Sequence, residues 1–131
     1  MYVRGRTYRP LVSPPRDNTS AVSAALADID AGRPPETGLL RDAVRVLLAA
    51  LAAKAPGRSV EVRVPPFGAI QCVTGPTHTR GTPPNVVETD PLTFVRLATG
   101  RSAWGEAVAN GTVSASGVRA DLSGLLPCWP Q

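Results

Sequence analysis

Between Thr37 and Val64 the chain reads T-G-L-L-R-D-A-V-R-V-L-L-A-A-L-A-A-K-A-P-G-R-S-V-E-V-R-V, and within this stretch the apolar period changes from helical to two. Leu40, Val44, Leu47, Leu48 and Leu51 share one stripe of a helix starting after Thr37, with Arg41, Arg45 and Lys54 off it. The stripe is wide and aliphatic, so it calls for a sheet or another helix to cover it. Pro56 and Gly57 stop the helix. From Ser59 to Val64, Val60, Val62 and Val64 alternate with Glu61 and Arg63, the pattern of a strand with one buried face.

Working outward, Pro65 and Pro66 break the strand, and Phe67 to Thr74 forms a second β-branched and apolar run. Upstream, Thr19 or Ser20 can cap a helix carrying Val22, Leu26 and Ile29, which Gly32 ends and Pro34 and Pro35 keep from resuming. Downstream, Gly75 to Asn85 is a loop and Val86 to Glu88 a short strand. Asp90 then caps a helix with Pro91 at its first position and Phe94, Val95 and Leu97 inside, closed by Gly100. Ser102 can cap a short helix from Ala103 to Ala109, Asn110-Gly111 signals a turn, and Thr112 to Ser116 alternates again. Asp121 can cap a terminal turn carrying Leu122, Leu125 and Leu126 before Pro127. The expected order is α, α, β, β, β, α, α, β, α.

The chain has 131 residues, 43% of them apolar, which suits one compact domain with a real core and argues against whole-chain disorder. Its richest apolar run, Val46 to Ala53, falls far short of the roughly 20 residues that span a bilayer. Lys plus Arg number 14 against 10 Asp plus Glu, yet Arg4, Arg6, Arg9 and Arg16 all precede the first acid, Asp17. The excess charge therefore belongs to a flexible, Arg- and Pro-rich arm at residues 1–18, and residues 19–131 form the expected single domain. The arm reads as a solvated segment, so no nucleic-acid partner is expected from it. It lacks the apolar core of a signal peptide, which points to a cytoplasmic protein with no transmembrane segment. Cys72 and Cys128 have no C-x-x-C spacing and read as free thiols in that compartment.

Reactive groups are few. A single histidine cannot build a multi-histidine metal site, and no H-E-x-x-H, C-x-x-C, P-loop, G-x-G-x-x-G or G-x-S-x-G string occurs. The expectation is a non-enzymatic protein with no catalytic residues, no metal and no cofactor. One polar cluster stands out in the loop, where Thr77, His78, Thr79, Arg80, Thr82 and Asn85 gather hydrogen-bonding groups and a cation. His78, Arg80 and Asn85 can hold the head group or carboxylate of a ligand, or brace the loop itself. The apolar residues Phe94, Leu97, Trp104, Val108, Leu122, Leu125 and Leu126 can wall a lipid-sized cavity or fill a dry core.

The strings P-P-F-G-A-I-Q-C-V at Pro65 to Val73 and H-T-R-G-T-P-P-N-V-V-E-T-D-P at His78 to Pro91 resemble the sterol carrier family proteins of actinobacteria. So do F-V-R-L-A-T-G-R at Phe94 to Arg101 and S-A-S-G-V-R-A-D-L-S at Ser114 to Ser123. The last two are also similar to the closing part of sterol carrier protein type two domains in general. The use of 13 Arg against one Lys fits a high-GC genome of that kind. The resemblance runs from about Thr19 to Pro127 and implies an α/β (α+β) fold, a single sheet of about five strands covered by helices and preceded by two N-terminal helices. In lipid-carrying members that fold encloses an apolar tunnel. The implied function is binding or transfer of a hydrophobic small molecule, such as a fatty acid, a sterol or a similar lipid. The alternative is a protein-interaction or accessory module with the same fold, a filled core and no small ligand.

Overall fold

The computed structural model describes residues 18–76 and 84–130. The arm before Asn18 and residues 77–83, which include His78 and Arg80, lie outside the described residues. Four helices and four strands follow one another as α1 (Thr19–Asp30), α2 (Thr37–Lys54), β1 (Val60–Val64), β2 (Gly68–Cys72), β3 (Asn85–Thr89), α3 (Pro91–Ala98), α4 (Trp104–Ala109) and β4 (Val113–Ser116). This is an α+β arrangement.

The strands form one sheet in the order β2-β1-β3-β4. β1 runs antiparallel to β2 and parallel to β3, and β4 runs antiparallel to β3. The register places Val60 beside Cys72 and Asn85, Val62 beside Ile70 and Val87, and Thr89 beside Val113. Because side chains alternate across a strand, all of these share one face. That face is the buried one: Val60, Val62, Val64, Cys72, Val87 and Val113 belong to the core, as do Ala43, Val44, Leu47, Leu48 and Leu51 of α2. Gly68 lies under the same helix, where a Cβ would come into ordinary van der Waals contact with Leu48 Cδ1. On the opposite face Ala69, Gln71, Glu88, Ser114 and Ser116 are exposed, and Arg63 Nη2 bridges to Glu61 Oε1 at 2.7 Å.

Local chemistry sets the boundaries. The Glu36 carboxylate accepts from the Gly38 N–H at 2.9 Å at the start of α2, and Asp90 Oδ2 accepts from the Thr93 N–H at 3.1 Å at the start of α3. Between α2 and β1 the chain closes tightly on the end of β2. Val73 sits at φ 65°, rarely entered by a β-branched residue. Its N–H donates to Ala55 O at 2.7 Å and its carbonyl accepts from the Ser59 N–H at 2.9 Å. A Cβ on Gly57 would meet that carbonyl at 2.2 Å, so only glycine permits the approach.

Several expectations are corrected. The described residues hold four strands, not about five. After β4, Gly117 turns at φ 109°, and the chain leaves the sheet for a segment whose Pro127 and Pro130 lack the N–H a ladder needs. The last α of the expected order is no helix but the turn that Asp121 is expected to cap: Leu125 N–H and Leu126 N–H both donate to Leu122 O, while Asp121 Oδ1 accepts from the Ser123 N–H at 2.9 Å. The N-cap positions of α1 and α4 are held by Asn18 and Ala103 rather than by Thr19 or Ser20 and by Ser102, and neither Asn18 nor Ala103 makes a side-chain cap bond.

α1 lies against α2, burying Ala21, Val22 and Ala25. Its far end is tied down by Arg101, whose Nε and Nη2 each donate at 2.8 Å to one oxygen of Asp30. The paired guanidinium holds the Asp30 carboxyl below the usual carboxylate range. A lowered folded-state value stabilises the fold above the unfolded carboxyl value of about 4, and the stabilisation fades as pH falls through the folded value. Arg101→Ala is expected to lower the melting temperature slightly at pH 7 and to match the wild type near pH 2, both in scanning calorimetry. A gap that persists undiminished into acid would contradict this account of the pair.

Candidate functional site

The apolar candidates divide into three groups. Phe94 and Leu97 on the inner face of α3 are each 2% exposed and Leu122 is 1% exposed, all within the core. Trp104, Leu125 and Leu126 are half-buried and pack against that core. Val108 is 42% exposed and joins neither group. In α4 it is Ala107 that turns inward, and the next position lies a further 100° round the helix.

Trp104 and Leu126 face each other across a cleft of about 420 Å³, completed by Gly100, Ser102, Ala103, Gly105, Ser123 and Pro127. Among the described residues no charged side chain lines it. Three other clefts differ in this respect: one holds Arg96 and Glu106, a second Arg33 and Arg96, and a third Glu88 and Asp90. The uncharged cleft follows from local sequence. Gly100 closes α3 at φ 83°, and the residues beside Trp104 in S-A-W-G are small and uncharged. The other wall is the C-terminal segment, which is anchored at several points. Lys54 Nζ donates at 3.0 Å to both Leu125 O and Pro127 O, and the N–H groups of Cys128 and Trp129 both donate to Ala98 O. Lys54 and Pro127 were not legible as site residues, because the lysine sits 71 positions from Leu125 and only tertiary folding joins them.

Asn85 is 2% exposed and its amide is fully engaged. Nδ2 donates to Ser59 O at 2.8 Å and to Ser59 Oγ at 3.3 Å, while Oδ1 accepts from the Arg119 N–H at 2.8 Å. It thereby ties the start of β1 to the turn after β4. A Cβ on Gly117 would sit 2.3 Å from Asn85 Oδ1, so glycine is required where that turn passes the amide. His78 and Arg80 lie outside the described residues.

Among the described residues, neither cysteine thiol is lowered. Burial pushes the Cys72 thiol up, and burial likewise raises Cys128 against a weaker opposing pull from Lys54. Asp121 is held low by its hydrogen bonds with Ser123, which fit a turn cap. Among the described residues no three His, Cys, Asp or Glu side chains gather where they can hold a metal ion, and no helix is long and apolar enough to cross a membrane.

Residues 36–128 match a protein family described as bacterial SCP ortholog, SCP standing for sterol carrier protein. No curated protein matches the chain. The match begins at the cap of α2 and ends in the C-terminal wall of the cleft, leaving α1 outside it.

Replacing Asn85 with Ala strips partners from a buried carbonyl and a partly buried N–H. Unsatisfied buried groups cost on the order of 1–3 kcal/mol each, so a clear loss of stability is expected in urea denaturation. A loss within experimental error would show that water replaces the amide freely.

Proposed function

The chain belongs to the bacterial SCP ortholog family, and from that premise we propose that it carries an apolar small molecule, a fatty acid, a sterol or a similar lipid, without chemical change. The observation that carries the reading is that, among the described residues, none that lines the cleft holding Trp104 and Leu126, about 420 Å³ in volume, is charged. Ligand sites occupy roughly 300–1,000 Å³ and are mainly apolar with a few polar groups, here the Ser102 and Ser123 side chains. An acyl or ring system laid against Trp104, Leu126 and Pro127 leaves water at about 25 cal/mol per Å² of apolar surface.

A second reading, an accessory module with a filled core and no small ligand, is favoured by one specific observation. Phe94, Leu97 and Leu122 are nearly fully buried, and none of them lines the clefts described above.

Titration of delipidated protein with a long-chain fatty acid separates the two. The carrier reading expects the tryptophan emission to shift to the blue and the shift to disappear in Trp104→Phe. Leu126→Arg is expected to weaken binding by about tenfold or more, because a charge placed against an apolar ligand is left unpaired. No spectral change and no saturable binding at micromolar concentration would favour the accessory module.

A further inference from the structure

We propose that a groove in the helical layer, flanked by Arg96 of α3 and Glu106 of α4, binds a free α-amino acid with an aliphatic side chain, its carboxylate at Arg96 and its ammonium at Glu106. The inference does not rest on the carrier reading, and the groove shares only Ser102 with the apolar cleft. Its walls are set by the fold. Leu92 and Arg96 stand four residues apart on α3, and Glu106 and Asn110 stand four apart at the end of α4, so each pair lies on one side of its helix. The link between the helices folds back on itself, with the N–H groups of Arg101 and Ser102 both donating to Arg96 O. A cleft of about 240 Å³ results, with Arg96, Ser102, Glu106 and Asn110 in its lining.

Two opposite charges line this cleft without neutralising each other. Among the described residues neither Arg96 nor Glu106 forms an ion pair, and neither side chain has another polar partner. Asn110 is oriented by the chain around it: its Oδ1 accepts from the Thr112 N–H at 3.1 Å and from Thr112 Oγ1 at 2.8 Å, which leaves its amide N–H groups to donate to an occupant. A molecule carrying an anion and a cation a few bonds apart satisfies all of these groups at once. A simple anion seated at Arg96 lies beside the like charge of Glu106, and a simple cation at Glu106 meets the same penalty from Arg96.

A second cleft gives the side chain its chemistry. About 250 Å³ in volume, it shares Leu92 and Arg96 with the first and adds Ile29, Arg33 and Pro34 to them. The bridge between Arg101 and Asp30 ties the end of α1 to the chain just after α3, which sets this cleft beside the first. Ile29, Pro34 and Leu92 supply an apolar wall next to Arg96. A second free cation there would favour an acidic side chain, but Arg33 Nη2 already donates to Asp28 Oδ1 at 3.0 Å. An aliphatic side chain extending from a carboxylate held at Arg96 meets the apolar wall and leaves no charge unpaired.

The test is titration of the isotope-labelled full chain with L-leucine, read from amide shifts in two-dimensional NMR. Saturable shifts are expected at amides of α3 and α4, with a dissociation constant in the millimolar range because both charges are solvated. Arg96→Gln and Glu106→Gln should each weaken binding about fivefold, the scale of an exposed ion pair. Both side chains are exposed and without partners, so both variants should keep the wild-type melting temperature. A ligand series needs no variant: isocaproate, which lacks the ammonium, and isoamylamine, which lacks the carboxylate, should each bind the wild type about fivefold more weakly than L-leucine. Glycine and L-glutamate should also bind more weakly than L-leucine. Folded Leu126→Arg, altered in the apolar cleft, should bind L-leucine like the wild type, so that loss of fatty-acid binding and loss of amino-acid binding are separable. The proposal is overturned if millimolar L-leucine shifts no amide of α3 or α4, if either Gln variant or any of the four other ligands equals L-leucine on the wild type, or if folded Leu126→Arg loses L-leucine binding.

Discussion

The core that joins the aliphatic stripe of α2 to the inner face of the sheet is what the rest of the molecule depends on. Leu47, Leu48 and Leu51 share that core with Val60, Val62 and Val64, α2 lying against β2 and α3, and nearly all of these side chains are withdrawn from water. The register of β2 and β3 on β1 follows from it, because a slip of one residue would turn their buried side chains to solvent. α1 and α3 both pack on the same helix, and the C-terminal segment is fastened to it through Lys54 and through the approach of Cys128 Sγ to Leu47 O at 3.8 Å. The cleft wall is thus supported, at one remove, by the helix that organises the sheet.

The parts legible in the sequence were those in which local pattern and tertiary demand agree. The alternation at Val60, Val62 and Val64 and the stripe from Leu40 to Leu51 needed only periodicity, and Asp90-Pro91 needed only capping chemistry. What escaped depended on partners remote in the chain. Asn85 reads as loop chemistry beside Thr and Pro, yet it opens β3 and joins Ser59 to Arg119. Val108 follows helical spacing from Trp104, but α4 is too short to bury more than Ala107. Ser102 looked like a cap because of its residue type, whereas the helix begins two residues later. The resemblance implied about five strands, while the element order read from the residues already held only four, the number in the structure.

The same distinction separates the two groups of apolar candidates. Composition cannot tell a hollow core from a filled one, and here Phe94, Leu97 and Leu122 are interior while Trp104 and Leu126 border open space. The cleft therefore lies outside the closed core, while its C-terminal wall is fastened to α2 through Lys54.

Native mass spectrometry of protein purified gently from cells that make it tests the carrier account most directly. The account predicts a population of folded chains heavier than the polypeptide by the mass of one lipid-sized molecule, released when the protein is unfolded and identifiable as an apolar compound. A folded chain found only at its bare polypeptide mass, and still bare after incubation with fatty acids and sterols, would contradict it.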